Sequence, residues 1–142
     1  MKGKSINDIC IGDTASFQKT LTETDVYLFS GISGDANPAH LNQVEAEKTI
    51  FKGRIVHGML TASLISAVLG MQLPGPGTIY LSQDLKFLKP VRFGDTILAV
   101  ICVVNKFEDK NIIEVSTICY NQNEEKVIDG IARVMPPKQS IL

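Results

Sequence analysis

Hydrophobic and polar positions change rhythm along the chain, and each change marks an element. From Thr14 to Leu21 they alternate, the period of a strand with one covered face. Thr22-Glu23-Thr24-Asp25 then fits a helix N-cap with an acidic residue at the third position, and Val26, Tyr27, Phe29 and Ile32 supply an apolar stripe that stops at Gly34. A second short helix is predicted over residues 42–48. Further on, Met59, Leu60, Ala62, Leu64, Ile65, Ala67, Val68 and Leu69 leave almost no polar face, which predicts a helix wrapped on most sides. Small residues at Gly58, Ala62, Ser63, Ser66, Ala67 and Gly70 would let a sheet approach its backbone.

The second half reads as strands and turns. Ile79, Leu81, Leu85 and Phe87 make one apolar face, interrupted by Gln83. After Pro90 and a Phe93-Gly94-Asp95 turn, Thr96 to Val104 is a nearly continuous apolar run and predicts a central strand covered on both sides. Asn105 to Asn111 is a charged hairpin. Ile112 to Tyr120 is β-branched and aromatic, and Ile128, Gly130, Ala132 and Val134 face away from Asp129 and Arg133 before Pro136-Pro137 ends the last strand. Helices and strands are segregated rather than alternating, so the fold class is α+β, with an antiparallel sheet of about five strands around one long central helix and a short helical excursion after the first strand. An open sheet edge predicts a homodimer or a higher homo-oligomer.

With 142 residues and 15.5 kDa, the chain has room for a single domain, 1–142. Hydrophobic residues at 44% and charged residues at 20% argue against disorder and fibrous repeats. Between Ile55 and Gln83 lie 29 residues without Asp, Glu, Lys or Arg, long enough to test as a membrane span. His57, Thr61, Ser63, Ser66 and Gln72 interrupt it and Pro74-Gly75-Pro76-Gly77 ends it, so a buried helix of a soluble protein is expected and no membrane. A net charge of −1 without a basic stripe makes nucleic acid a poor partner. Three cysteines (Cys10, Cys102 and Cys119) without CxxC spacing suggest reduced, buried thiols, and the first residues lack the apolar stretch of an export signal, so a cytoplasmic location is expected.

Candidate chemistry gathers around the two histidines. Asp35, Asn37 and His40 lie within six residues on a loop stiffened by Gly34 and Pro38. A carboxylate that takes a proton, an imidazole that gives one and an amide that orients could meet at one water molecule. Equally, Asp35 and Asn37 could cap a turn while His40 caps the next helix. The second histidine, in Arg54-Ile55-Val56-His57-Gly58-Met59, stands where the long helix begins. Backbone N–H groups at Gly58 would suit a developing oxyanion, whereas the plainer reading has His57 bracing a loop and Gly58 permitting tight packing. Two histidines 17 positions apart, with no HxxxH or Cys partner, predict no metal. Gln83 could line an apolar slot or satisfy buried backbone.

Four segments together carry a resemblance: Ser-Gly-Asp-Ala-Asn-Pro-Ala-His at 33–40, Ile-Val-His-Gly-Met-Leu at 55–60, Leu-Pro-Gly-Pro-Gly at 73–77 and Leu-Lys-Phe-Leu-Lys-Pro-Val-Arg-Phe-Gly-Asp at 85–95. In this order they resemble the MaoC-like dehydratases, and more closely their single-domain (R)-specific enoyl-CoA hydratases of hot dog fold, over about Thr14 to Val134. The resemblance implies reversible hydration of trans-2-enoyl-CoA to (R)-3-hydroxyacyl-CoA. It implies Asp35 and His40 as the catalytic pair, Asn37 holding the water, Ser66 supporting the pair, and the Gly58 N–H on the thioester carbonyl. No cofactor is implied, coenzyme A being the carrier of the acyl substrate. Lys86, Lys89 and Arg92 are candidates for its phosphates, although a solvated strand end explains them as well. An acyl-CoA thioesterase, a non-catalytic acyl-CoA-binding module and a subunit of a larger dehydratase are the alternatives.

Overall fold

The computed structural model describes residues 2–139. In chain order it contains β1 (Thr14–Thr20), α1 (Glu23–Ser33), α2 (Pro38–Leu41), α3 (Gln43–Glu47), α4 (Gly58–Met71), β2 (Ile79–Phe87), β3 (Thr96–Phe107), β4 (Ile112–Tyr120) and β5 (Lys126–Met135). The five strands form one sheet in the order β1-β3-β4-β5-β2, with every neighbour antiparallel. Register slips at Tyr80/Ser82, Val103/Asn105 and Cys119/Tyr120 mark bulges, which bend and twist strands locally.

One face of that sheet receives α4, which packs on β1, β3 and β4. Leu64, Ile65, Val68 and Leu69 of the helix meet Ile97, Ala99, Ile101 and Val103 of β3 and Ile113 and Val115 of β4 in a single buried cluster. Each large aliphatic side chain placed there contributes on the order of 1.5–3 kcal/mol relative to exposure. The core thus sits between helix and sheet, and it fixes where the N-terminus of α4 lies.

Three expectations change. β3 alternates strictly between buried and half-buried residues up to Val103, so only one of its faces is covered by this chain, and Leu98, Val100 and Cys102 stay half-exposed. An unbroken apolar run cannot tell a strand buried on both sides from one whose outer face is merely β-branched. Nor is α4 wrapped on most sides: Met59, Ser63 and Ser66 form an exposed stripe at helical spacing. Cys10 is exposed and Cys102 half-buried, leaving Cys119 as the buried thiol, although all three are free.

The region that carries the chemistry is built by local signals. Thr22 and Asp25 form a reciprocal capping box: the Thr22 N–H donates to Asp25 Oδ2 at 2.9 Å and the Asp25 N–H to Thr22 Oγ1 at 3.2 Å. At the other end, Gly34 closes α1 with φ of 81°, a left-handed conformation that glycine adopts without penalty. Asn37 then caps α2, its Oδ1 accepting the Ala39 N–H at 3.0 Å with Pro38 in the first turn. Only Val26 and Ser30 of α1 are buried, while Tyr27 and Ile32 of the expected stripe are exposed. The short helix predicted over 42–48 resolves into α3, preceded by the single turn of α2.

Candidate active site

Asp35 lies on the short link between the left-handed end of α1 and the cap of α2. Its side chain is open to solvent, with Oδ1 accepting the Asn37 N–H at 3.2 Å. Its backbone carbonyl points inward and accepts two bonds, from Ser30 Oγ at 2.9 Å and from His57 Nε2 at 3.0 Å. A carbonyl only accepts, so the His57 proton is on Nε2 and Nδ1 carries the lone pair. Ser30 Oγ also lies 3.2 Å from His57 Nε2, closing a small buried knot that ties α1, the loop and the N-cap of α4 together.

His40 is set by the same logic. Its Nδ1–H donates to the Ile55 carbonyl at 2.8 Å, so Nε2 is the nitrogen available for chemistry. The ring is buried and stacks on that of His57, while Phe29 closes the other approach to His57 with centroids 4.9 Å apart. A carboxylate oxygen of Asp35 and ring nitrogens of His40 and His57 lie within 4.8 Å of one another. One water molecule can therefore touch both Asp35 and His40. The two imidazoles are less suited to a shared cation, because lone pairs lie in the ring planes, and two stacked planes inclined by only 28° do not converge nearby.

The N-terminus of α4 borders this cluster. Helix geometry leaves the N–H groups of Gly58 and Met59 without intrahelical acceptors, and the helix dipole adds partial positive charge there. Gly58 opens onto a cavity of about 240 Å³ whose walls include Ile55, Val56, Thr61, Phe87, Val91 and Ile128. The glycine is needed for that approach: a Cβ would stand 2.6 Å from Phe87 Cε1. Ile55, Val56, Gly58 and Thr61 of the charge-free stretch thus supply one side of an apolar slot, next to His57 along the chain.

Asp35, His40 and His57 are accordingly brought together, with Gly58 adjacent in the chain to His57. Asn37 lies beside them, its N–H on Asp35 Oδ1, but spends its carbonyl oxygen on the helix cap. Ser66 is not brought in: it is exposed and stands eight residues beyond Gly58, ~12 Å along the helix. Gln83 takes the plainer of its two roles, its amide donating to the buried Thr117 Oγ1 and to the Asp84 carbonyl, each at 2.8 Å. It also accepts the hydroxyl of Tyr80. Lys89 lines the cavity mouth and pairs with Glu125, Arg92 is tied to the carbonyls of Phe51 and Gly53, and Lys86 is exposed.

Two residues escaped the sequence reading. Ser30 was only a small residue near the end of a helix, and its partner His57 is 27 positions away. Arg54 ion-pairs with Glu23 at 2.8 Å, donates to Tyr27 Oη at 2.8 Å and lies over the Phe93 ring, so it straps α1 to the segment entering α4. No local spacing signals such a contact.

A family model described as MaoC like domain matches residues 10–124. The chain is 51% identical over 130 residues to an (R)-specific enoyl-CoA hydratase of Rhodospirillum rubrum, covering 92% of this chain and 90% of that one. It is 41% identical over 133 residues to an (R)-specific enoyl-CoA hydratase of Aeromonas caviae, covering 94% and 99%. Among solved structures, the unliganded R-hydratase of Pseudomonas aeruginosa aligns with a TM-score of 0.92 at 40% identity, over 99% of this chain and 90% of that one.

Proposed function

This chain belongs to the MaoC-like dehydratase family and has its hot dog fold, and from that premise we propose that it is an (R)-specific enoyl-CoA hydratase, adding water reversibly across the 2,3 double bond of a trans-2-enoyl-CoA. The observation that carries this reading is the approach of the Asp35 carboxylate and the His40 ring, within 4.8 Å, beside the open N-terminus of α4.

In the hydration direction, Asp35 takes a proton from water as its oxygen bonds to C3, and the negative charge moves through the conjugated system onto the thioester oxygen. The Gly58 N–H meets that charge, and a donor of this kind is typically worth ~10² to 10³ in rate. His40, entering the step with a proton on Nε2 as well as the Nδ1 proton held by Ile55, gives the Nε2 proton to C2 on the same face, yielding the (R)-3-hydroxyacyl thioester. Asp35 then returns its proton to His40 across the short gap. Asn37, with its amide nitrogen free of the cap, orients the water. The acyl chain takes the apolar slot, Lys89 stands where the coenzyme A phosphates would approach, and none of these steps calls for a cofactor or metal.

We place the working unit as a homodimer in the cytoplasm. β2 is a sheet edge with Ile79, Tyr80, Leu81 and Phe87 exposed, and the Met59–Ser63–Ser66 stripe of α4 is uncovered. Pairing two copies there would bury both features and turn Ser66 toward the other copy, the setting in which it could support a catalytic pair. No helix among the described residues is long and apolar enough to cross a membrane.

Incubation with crotonyl-CoA tests the reading. Loss of the enoyl absorbance without free thiol, with (R)-3-hydroxybutyryl-CoA as product, supports it. Release of coenzyme A thiol would instead make the protein a thioesterase, and no change in either signal would leave a binding module.

A further inference from the structure

We propose that Arg54 is a positioning residue for hydration: its guanidinium holds α1 and α3 against the segment that carries Ile55, and so sets the approach of the Asp35 carboxylate to the His40 ring. The inference rests on the hydratase reading and adds to it a residue that acts on the pair without lining the cavity.

The segment from Gly34 to Asn42 carries both members of the pair and hangs between two small elements. α1 precedes it and buries only Val26 and Ser30, and α3 follows it and buries only Ala46. Helices this short depend on tertiary contacts, and so little burial leaves the holding to polar bonds. Ser30 and His57 supply some of them on the α4 side. The segment is also tied to the chain just after Arg54, where the Ile55 N–H donates to the Ala39 carbonyl at 3.1 Å and the Ile55 carbonyl accepts His40 Nδ1–H at 2.8 Å. The Val56 N–H donates in turn to the Val91 carbonyl at 2.8 Å, which joins this link to the body of the fold.

Arg54 is where these pieces meet. Its Nη1 donates to Glu23 Oε1 and to Tyr27 Oη of α1, each at 2.8 Å, and its Nε donates to Gln43 Oε1 of α3 at 3.3 Å. Tyr27 spends its own proton on the same Glu23 oxygen, so its lone pair is left for the guanidinium. The guanidinium also lies over the Phe93 ring, 4.9 Å from the centroid. An isolated exposed ion pair would contribute little. Here the Arg54 side chain is only 20% exposed, and one rigid planar fork addresses two helices at once. The elements on either side of the pair are thereby referred to the residue before Ile55, which itself holds His40. Misplacing one member of a catalytic pair by about 1 Å can cost ~10² in rate. With Nη1 and Nε engaged within the chain, loss of Arg54 should be felt in kcat rather than in KM.

The test follows Arg54→Ala beside wild type in three readouts: steady-state hydration of crotonyl-CoA, thermal melting, and exchange of the His40 Nδ1 proton with water by nitrogen-edited proton NMR. Arg54→Ala is expected to lower kcat by ~10- to 10²-fold with KM little changed, and to speed that exchange. Glu23→Gln, which loosens the hold on α1 alone, should lower kcat less and add nothing to the loss in an Arg54→Ala background, because both act through one contact. Wild-type kcat in Arg54→Ala would overturn the proposal even with a lower melting temperature, since that is the mark of a brace. A raised KM at unchanged kcat would overturn it too, making Arg54 a contact for the substrate, as would fully additive losses in the double variant. If alanine prevents folding, Glu23→Gln and Tyr27→Phe, both at exposed positions, decide by the same kcat and exchange, and wild-type values in both would overturn it. Failure of the wild type to hydrate crotonyl-CoA would strike the hydratase reading itself, whereas the exchange of the His40 proton reports on the hold of Arg54 without turnover.

Discussion

The imidazoles of His40 and His57 stack with centroids 3.8 Å apart and planes inclined by 28°, and each ring uses one nitrogen to hold a backbone carbonyl. His57 holds that of Asp35 and His40 that of Ile55, so the loop with the carboxylate and the segment entering α4 are pinned to the same pair of rings. His57→Ala removes the flat support beneath His40 and one of two bonds to the Asp35 carbonyl. Expected are a stability loss of about 1–3 kcal/mol by denaturant unfolding and a fall in crotonyl-CoA hydration with Asp35 and His40 intact. A stability loss with an unchanged rate would reduce His57 to packing.

The proposed catalytic pair separates from stability because Asp35 is exposed. Asp35→Asn retains an oxygen for the Asn37 N–H and should leave the melting temperature within a few degrees of wild type. It removes the base, so kcat should fall by ~10² to 10⁴. His40→Gln is expected to cost a similar factor, together with some stability, since His40 is buried and holds Ile55. Unchanged turnover in Asp35→Asn, measured at saturating crotonyl-CoA, would remove the proposed base.

What the sequence made legible was short in range. The Thr22/Asp25 capping box, the Gly34 stop and the Asn37 cap each use contacts two to four residues apart, so residue type and spacing sufficed. Alternation likewise located β1, β2 and β5, while a continuous apolar run located β3 and β-branched residues located β4. Of the two readings of Asn37, the cap is the one its side chain makes, with Oδ1 accepting the Ala39 N–H. The Ser30–His57 and Arg54–Glu23 contacts, 27 and 31 positions apart, were invisible because only the folded chain makes them neighbours. The half-covered outer face of β3 and the exposed Ser66 were hidden for another reason: apolar and small residues mark surfaces meant for burial without saying whether this chain or another copy covers them.

Gly58 joins packing to chemistry, and substitution should expose the difference. Alanine suits a helix better than glycine, yet its Cβ would stand 2.6 and 2.7 Å from Cε1 and Cδ1 of Phe87. That ring is 54% exposed and can turn aside, so Gly58→Ala should fold with a melting temperature close to wild type. The displaced ring would crowd the mouth of the acyl slot, and KM for crotonyl-CoA should rise several-fold. Adding Phe87→Ala to Gly58→Ala removes the clash and should recover much of that loss. A double variant as impaired as the single one would show instead that the new methyl group itself covers the donor.

Asp25 links the stability of α1, and so the placement of Ser30 and the Asp35 loop, to pH. The Thr22 backbone N–H, more than the Thr22 hydroxyl or Lys19 at 3.4 Å, holds its carboxyl below the ordinary 3.8. A carboxylate with a lowered folded-state pKa binds protons less readily than in the unfolded chain, so it stabilises fully above the ordinary value, and that contribution disappears as pH falls through the lowered one. Asp25→Asn should therefore melt below wild type at pH 6, and the gap should narrow steadily below about pH 4 as the wild-type carboxylate is protonated. Thr22→Ala, which removes the reciprocal half of the cap, should cost about 1 kcal/mol near neutrality. Thermal melts of the three proteins between pH 6 and pH 2 check both statements, and a gap between wild type and Asp25→Asn that stays constant across this range would show that the charge of Asp25 contributes nothing to the cap.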